Sequence, residues 1–402
     1  MKRNDRKKLL IKELTESIRE TVRCSSGELT DEEVQDLIDE ILLAHPKREG
    51  LSSKELIGAA ETVFYRTRCE LSVLQPLADD PDITEIMVNG KDDVFVERNG
   101  ASYKVDLYFE SNEELEDVIR RIAAKVHREI NELSPILDAR LLDGSRVNAV
   151  YKNISLGGPA LTIRRFPRTA ITMKDLLVYG SITNEASAFL TALVKAGYNI
   201  FISGGTSSGK TTFLNALSNF IPGDERVVTI EDTAELRLIG IKNLVRLECR
   251  DAGIEGRGEV TIRQLIRSSL RMRPNRIIVG EVRGEEVLDM IQAMNTGHAG
   301  SLSTGHGNSP RGMLYRLEAM FLQAADFPID AIRRQITEGI DVIIHLGRLP
   351  GGGRAVLEIA EITGIEDGEI ELNTVFIRDG KKGLLKKSDL RHREKLILAG
   401  YE

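Results

Sequence analysis

Apolar residues recur along this chain in three different rhythms. In residues 30–45, TDEEVQDLIDEILLAH, the positions Val34, Leu37, Ile38, Ile41 and Leu42 fall three and four apart, which places them on one face of a helix. Thr30 with Glu33 supplies a capping box at its start, and Ser52 with Glu55 opens a second helix in SSKELIGAAETVFYRTR. Residues 1 to about 70 therefore read as a small helical region. From 71 to about 168 the rhythm shortens. ITEIMVN, DVFVERNG and SYKVDLYF are rich in β-branched and aromatic residues, and the pairs Asn89-Gly90 and Asn99-Gly100 predict hairpin turns between them. Ser111 and Glu114 then cap a helix carrying Leu115, Val118, Ile119, Ile122 and Val126, and SRVNAVY and ALTIRRF read as further strands. This stretch predicts an α+β domain, and a proline with loss of periodicity in FPRTAIT, residues 166–172, predicts the linker that follows it. From 173 to 402 short apolar strands alternate with helical segments: NIFISG, a helix from Lys210, RVVTIED, RIIVGE, a helix from Gly284, and GSLSTGH. Such alternation predicts an α/β domain, a mostly parallel sheet with helices on both faces.

Composition narrows the classes of function. The 402 residues exceed one compact core, and 41% hydrophobic residues suffice to bury several. A formal net charge of −7 argues against a protein that coats nucleic acid by bulk electrostatics. Cys24, Cys69 and Cys249 lie far apart, with neither a CxxC pair nor a disulfide framework, so free thiols in a reducing cytosol are expected. No apolar run approaches the roughly 20 residues that span a bilayer, and the basic start MKRNDRKKLL lacks an apolar signal core. A cytoplasmic location is expected.

The chemistry concentrates in residues 203–213, SGGTSSGKTTF, directly after an apolar strand. Gly204-x-x-x-x-Gly209-Lys210-Thr211 is a P-loop, whose backbone N–H groups and helix N-terminus wrap nucleotide phosphates. Gly204, Gly205, Thr206, Ser207, Ser208, Gly209, Lys210, Thr211 and Thr212 are the expected contacts, with Lys210 neutralising the β and γ phosphates and the Thr211 hydroxyl holding Mg²⁺. Hydrolysis also needs carboxylates at neighbouring strand ends. RIIVGEVRG offers Glu281, preceded by Gly280 where an aspartate often stands, and RVVTIEDTAEL offers Glu231 and Asp232, then Glu235. His298 and His306 stand among Gly, Ser and Thr with no carboxylate or cysteine at their spacing, a pattern that suits a phosphate or subunit-contact sensor better than a metal site.

GGTSSGKTT, TIEDTAEL, SSLRMRPNRIIVGEVRG and MNTGHAGSLSTGHGNSP together resemble the Walker A, Asp box, Walker B and His box of the type II and type IV secretion ATPases. The branch most resembled is the CpaF-like one, which powers tight-adherence (Flp-type) pili. The resemblance extends upstream through LQPLADDPDITEIMVNGKDDVFVERNG and DARLLDGSRVNAV, and so covers about residues 70–376. It implies a RecA-like P-loop ATPase core at 173–402, a smaller PAS-like α+β domain at 71–168 and an N-terminal helical region at 1–70. It further implies ATP and Mg²⁺ as cofactors and a homo-hexamer that moves its N-terminal domains against its cores. The implied partners are inner-membrane platform proteins, which would hold the motor at the cytoplasmic membrane. Lys210 and Thr211 carry over for phosphate and Mg²⁺, Glu231 and Glu281 for metal and water and hence catalysis, and His306 as the His-box residue, also counted catalytic; Asp232, beside Glu231, is a further candidate for the metal, partly through water. Arg140, Arg146, Arg164 and Arg165 lie at the end of the N-terminal domain on segments that read as strands; arginines of this domain close over nucleotide in relatives, a role that falls here to Arg146 with Arg164 or Arg165, and a solvated strand face is the plainer alternative. VYKNISLGGP and HREINEL depart from the usual pattern near the domain junction, and the four-cysteine insert of many type II members is absent, which favours the CpaF-like branch.

Three functions compete on these residues: a mechanical ATPase for pilus assembly or secretion, a DNA-translocating or recombination ATPase, and a phosphotransferase. No segment suggests the substrate lid of the third, and the acidic balance lends the second no support. The basic tail KKGLLKKSDLRHREK reads as a solvated terminal helix.

Overall fold

The computed structural model describes residues 3–25, 27, 29–98, 101–141, 143–165, 171–250, 258–350, 352–380 and 383–401. The chain divides into two compact units, residues 1–168 and 169–402.

The first unit opens with helices α1 (Arg3–Cys24), α2 (Asp31–Ala44) and α3 (Ser53–Arg68). Leu10, Leu14 and Ile18 of α1 meet Val34 and Ile38 of α2 and Val63 of α3 in a core of their own, the packing that the helical stripe demands. At the α2 start the Glu33 N–H donates to Thr30 Oγ1 (3.2 Å) and the Thr30 N–H to Glu33 Oε2 (2.7 Å), the capping box read from the sequence. A short helix α4 (Gln75–Asp79) leads into strands β1 (Ile83–Asn89), β2 (Val94–Arg98) and β3 (Ala101–Lys104), helix α5 (Asn112–Lys125), and strands β4 (Ile136–Arg140), β5 (Arg146–Val150) and β6 (Ala160–Arg164). The strands form an antiparallel sheet in the order β3-β2-β1-β6-β5-β4. The apolar face of α5, Leu115, Val118, Ile119 and Ile122, packs on its inward residues.

One reading of this region needs correction. The segment SYKVDLYF is a strand only as far as Lys104; beyond it the chain turns inward to bury Phe109 completely. The β1–β2 hairpin is wider than a two-residue turn: it closes where the Asn89 N–H donates to the Asp93 carbonyl (2.8 Å). Gly90 holds φ +71° there, and a Cβ on it would sit 2.5 Å from the Gly157 carbonyl oxygen, so only glycine fits. The Asn99-Gly100 turn and most of the predicted linker, residues 166–170, lie outside the described residues.

The second unit runs α6 (Met173–Val178), α7 (Asn184–Lys195), β7 (Ile200–Gly204), α8 (Lys210–Ser218), β8 (Arg226–Glu231), β9 (Asn243–Glu248), α9 (Ile262–Ser269), β10 (Arg276–Val282), α10 (Glu286–Asn295), β11 (Leu302–His306), α11 (Pro310–Ala324), α12 (Ile329–Gly339), then strands β12 (Val342–Arg348), β13 (Arg354–Glu366), β14 (Glu369–Asp379) and β15 (Gly383–Lys386), and a last short helix α13 (Glu394–Leu398). The sheet order is β15-β14-β13-β12-β7-β11-β10-β8-β9. Its strands are parallel from β12 to β9, as the alternation predicts, and antiparallel from β12 to β15. Both faces are covered. Ile200 and Ile202 pack with α7 and α8, whereas Phe201 between them packs with α10 and α11, which is why β7 reads as a continuous apolar run.

The predicted terminal helix is overturned. Leu384 and Leu385 lie in the edge strand β15, paired to β14, and the residues after it fold back onto the domain. The buried Glu361 carboxylate accepts the Arg391 and His392 N–H groups (2.8 and 2.7 Å), Tyr198 Oη donates to the His392 carbonyl (2.7 Å), and Lys395 Nζ pairs with Asp341 (2.6 Å). Counting lysines as a solvated face missed these anchors. No helix among the described residues is long and apolar enough to cross a membrane.

Candidate active site

Strands β7, β11, β10 and β8 are parallel neighbours, so their C-terminal ends gather on one edge of the sheet, where open α/β sheets bind ligands. Those ends carry Gly204, His306, Glu281 and Glu231. The loop after β7 is shaped by its glycines. A Cβ on Gly204 would lie 2.5 Å from Ser208 Oγ and 2.7 Å from the Leu346 carbonyl oxygen, and Gly209, at φ +92°, is the cap from which α8 starts. Ser207 takes φ +56°, an uncommon conformation for a side-chain-bearing residue that turns the loop back on itself. Ser208 is 3% exposed and its Oγ has no hydrogen-bond partner. The N-terminus of α8 leaves backbone N–H groups pointing into the curve of the loop, the arrangement that binds phosphate. Thr206, Thr211 and Thr212 complete the loop and the first turn of α8.

From the loop runs a chain of alternating charges. Lys210 is buried; its Nζ donates to the Gly205 carbonyl (3.2 Å) and lies 3.4 Å from His306 Nδ1. His306 Nε2 is 2.7 Å from Glu281 Oε1, while Arg283 holds Glu281 Oε2 at 2.9 Å and reaches Asp232 at 3.5 Å. Burial lowers the proton affinity of both Lys210 and His306 against the pull of Glu281. The structure thus brings Lys210, His306, Glu281 and Asp232 into one network, with Arg283 as the link that sequence reasoning missed. The one available signal was its place two residues after Glu281, the next side chain on the same strand face.

Glu231 stands beside this network and is 2% exposed. Its Oε2 accepts the N–H groups of Glu235 and Leu236 (2.7 and 2.9 Å), and its Oε1 has no hydrogen-bond partner. Gly280 lies close against this neighbour: a Cβ there would come within 3.1 Å of Glu231 Cγ, so a side chain at 280 would require Glu231 to give by a few tenths of an ångström. Burial pushes the Glu231 carboxyl up to about 7, against the two backbone donors. Between the ordinary carboxylate range and pH 7 the folded protein keeps this proton and the unfolded chain releases it, so stability falls as pH rises through that window. Replacing Glu231 with Gln is expected to remove that fall. In melts across pH 4.5 to 8 the advantage of the wild type over Glu231→Gln should shrink by on the order of 3 kcal/mol; parallel curves would show the carboxylate already ionised.

The predicted arginines lie in the other unit. Arg140, Arg146 and Arg164 are direct cross-strand partners on β4, β5 and β6, and the row continues to Glu85 on β1 and Glu97 on β2. Arg165 is tied down differently: its guanidinium donates to the carbonyls of Asp80 and Ile83. His298, the second histidine singled out, places Nδ1 3.1 Å from the Ala293 carbonyl at the end of α10 and does not join the network.

A loop-and-helix phosphate cradle at the C-terminal edge of a parallel sheet, with carboxylates on the adjoining strand ends, defines a P-loop ATPase. Residues 68–357 match the family described as Type II/IV secretion system protein. A putative conjugal transfer protein of Mycobacterium tuberculosis is 34% identical over 76% of this chain and 88% of its own length. The type IV secretion system protein VirB11 of Brucella suis is 34% identical over 72% of this chain and 88% of its own length. Among solved structures, the pilus retraction motor PilT with bound ADP matches at a TM-score of 0.54 with 21% identity, covering 75% of this chain and 82% of that one. At that identity the match speaks for the fold alone. The chain belongs to the type II/IV secretion ATPase family.

Proposed function

We propose that the chain is a homo-hexameric motor that couples ATP hydrolysis to assembly of tight-adherence (Flp-type) pili or to a related secretion step, docked on inner-membrane platform proteins at the cytoplasmic membrane. The observation that carries this reading is the row Arg140, Arg146, Arg164 on the first unit. Arg164 is the exposed member of this row, so its guanidinium is the one that an incoming anion can reach. The anion this family handles is nucleotide triphosphate, and an arginine fork suits the charge that develops on a transferring γ-phosphoryl group. Arg164, exposed and in the row, is the one we assign to nucleotide in preference to Arg165, whose guanidinium is spent on its own backbone neighbours.

Mg²⁺ fits the residues present: Glu231 offers an unpartnered buried oxygen, Asp232 adjoins it, and Thr211 follows the P-loop lysine. These three would hold the ion, Glu231 and Asp232 partly through water, and the ion would neutralise charge on the β and γ phosphates. Lys210 binds the same phosphates, Glu281 orients the attacking water, and His306 ties Glu281 to Lys210 so that phosphate arrival is felt at the carboxylate.

A closed ring supplies six identical contacts, and turnover that depends on arginines outside the core then depends on assembly. ATPase activity per chain is expected to rise with protein concentration in Mg²⁺ and nucleotide, in step with a hexameric mass by light scattering; a monomer with full, concentration-independent turnover defeats the proposal. The conjugal transfer relative favours a second reading, in which the same motor serves transfer of nucleic acid. Stimulation of the ATPase by single-stranded DNA, with pili intact in cells whose only copy carries Glu281→Gln, would select it.

A further inference from the structure

Arg354, the first residue of β13, lies against the phosphate loop on the side away from the catalytic carboxylates. In the sheet order β7 lies between β12 and β11, so His306 and Glu281 reach the loop from the β11 flank and Arg354 from the β12 flank. Leu346 of β12 pairs with Gly204 itself. On the far arm Arg354 opens β13, and a Cβ built on Gly209 would lie 3.5 Å from its Cδ and 4.0 Å from its Cβ. The Arg354 side chain therefore runs along the cap of α8. Its backbone is fixed there by Ser181, whose Oγ donates to the Arg354 carbonyl (2.7 Å). The guanidinium is exposed and makes no hydrogen bond or ion pair among the described residues.

Two features make this placement unfavourable unless an anion is bound. The first turn of a helix carries partial positive charge, so a cation beside its cap is repelled. Arg354 is also the direct cross-strand partner of Arg348, a second exposed arginine. Close by, Ser208 Oγ is buried, without a partner, within the curve of the loop. The cap of α8 and Arg354, with Arg348 paired behind it, thus put positive charge on one flank of a loop that holds an unpartnered buried hydroxyl. We propose that Arg354, backed by Arg348, is a nucleotide-binding residue that clamps the α-phosphate. The side of approach makes the assignment: Lys210 leads from the loop toward Glu281 and His306, which places the γ end on the β11 flank, and the β12 flank is left for the end of the nucleotide that does not react.

An α-phosphate contact is made equally by ATP and ADP and does not change during transfer. Its loss must fall on binding and on KM more than on kcat. The proposal rests on nucleotide occupying the P-loop, and Lys210→Ala separates the two ideas: if that variant binds ADP as the wild type does, the P-loop reading itself fails. In the full-length chain, calorimetric titration with Mg²⁺-ADP should show Arg354→Gln binding about tenfold more weakly, Arg354→Lys between the two because it keeps the charge without the fork, and Arg348→Gln weakened less than Arg354→Gln. The loss should be the same for GDP, and it should shrink in high salt. Melting curves show whether Arg354→Gln folds; if it does not, Arg354→Lys carries the comparison. ADP affinity within about twofold of wild type in these variants would overturn the clamp. A loss confined to ADP and absent with GDP would do the same, since it would place Arg354 on the base.

Discussion

Lys210→Ala is expected to abolish tight ATP binding, and Glu281→Gln to bind ATP yet fail to turn it over. The two side chains lie at opposite ends of one network, joined through His306, but their tasks differ. Lys210 is buried at the first turn of α8, where its ammonium is held among backbone carbonyl and imidazole nitrogen. Burial already lowers its proton affinity, so a triphosphate restores the opposite charge that the site lacks, and removing the ammonium removes an interaction present in ground state and transition state alike. Glu281 contributes differently. Arg283 holds one of its oxygens, the other lies 2.7 Å from His306 Nε2 without a hydrogen bond, and glutamine preserves the shape and one acceptor while losing the charge that orients and deprotonates water. The expected loss in kcat is about 10²–10⁴-fold, the usual worth of a positioned general base, with ATP affinity changed little. Equilibrium binding and steady-state turnover in the assembled protein separate the cases. Near wild-type turnover in Glu281→Gln would transfer the role to another carboxylate, Glu231 first, because that side chain is buried beside the same strand end with an oxygen to spare.

Much of this site was legible in the sequence because its parts are local. A strand, a glycine-rich loop and a helix N-terminus follow one another within 19 residues, Ile200–Ser218, and the strand ends that carry Glu231, Glu281 and His306 announce themselves as apolar runs followed by charge. What stayed hidden depends on residues distant in sequence. Gly280 looks like a missing aspartate until the buried Glu231 is seen packed close against it. Arg354 lies 145 positions beyond Gly209, and only the antiparallel addition of β13 to β12 brings them together. The basic tail misled for the same reason: its lysines and arginines suggest a solvated helix, while the backbone N–H groups of Arg391 and His392 are caught by Glu361, a carboxylate some 30 residues upstream. Charge patterning describes what solvent sees, and it cannot report a buried acceptor elsewhere in the chain. Arg164 and Arg165, adjacent in sequence and indistinguishable there, separate only when Arg165 is seen donating to the Asp80 and Ile83 carbonyls.

That separation sets up the second large effect. Arg146→Ala and Arg164→Ala are expected to lose about 10³-fold or more in kcat, the scale set by arginines that stabilise a transferring phosphoryl group, while keeping the wild-type circular dichroism spectrum and melting temperature. The stability half of the expectation follows from exposure: Arg164 is exposed on β6, and its removal uncovers no core residue. Arg165→Ala should behave in the opposite way. It strips the Asp80 and Ile83 carbonyls of a charged donor at the start of β1, so its melting temperature falls and its kcat, once folded, remains near wild type. Nucleotide affinity adds an independent reading. If the row meets the γ-phosphate, the Arg146 and Arg164 variants weaken ATP more than ADP, because only ATP carries the group they touch, whereas loss at Arg354 weakens both alike. Wild-type turnover in both Arg146→Ala and Arg164→Ala would make the row an ordinary charged face of the sheet, and the source of the γ-phosphate contact would then have to be sought in the core, beginning with Arg283, which already grips Glu281 and Asp232.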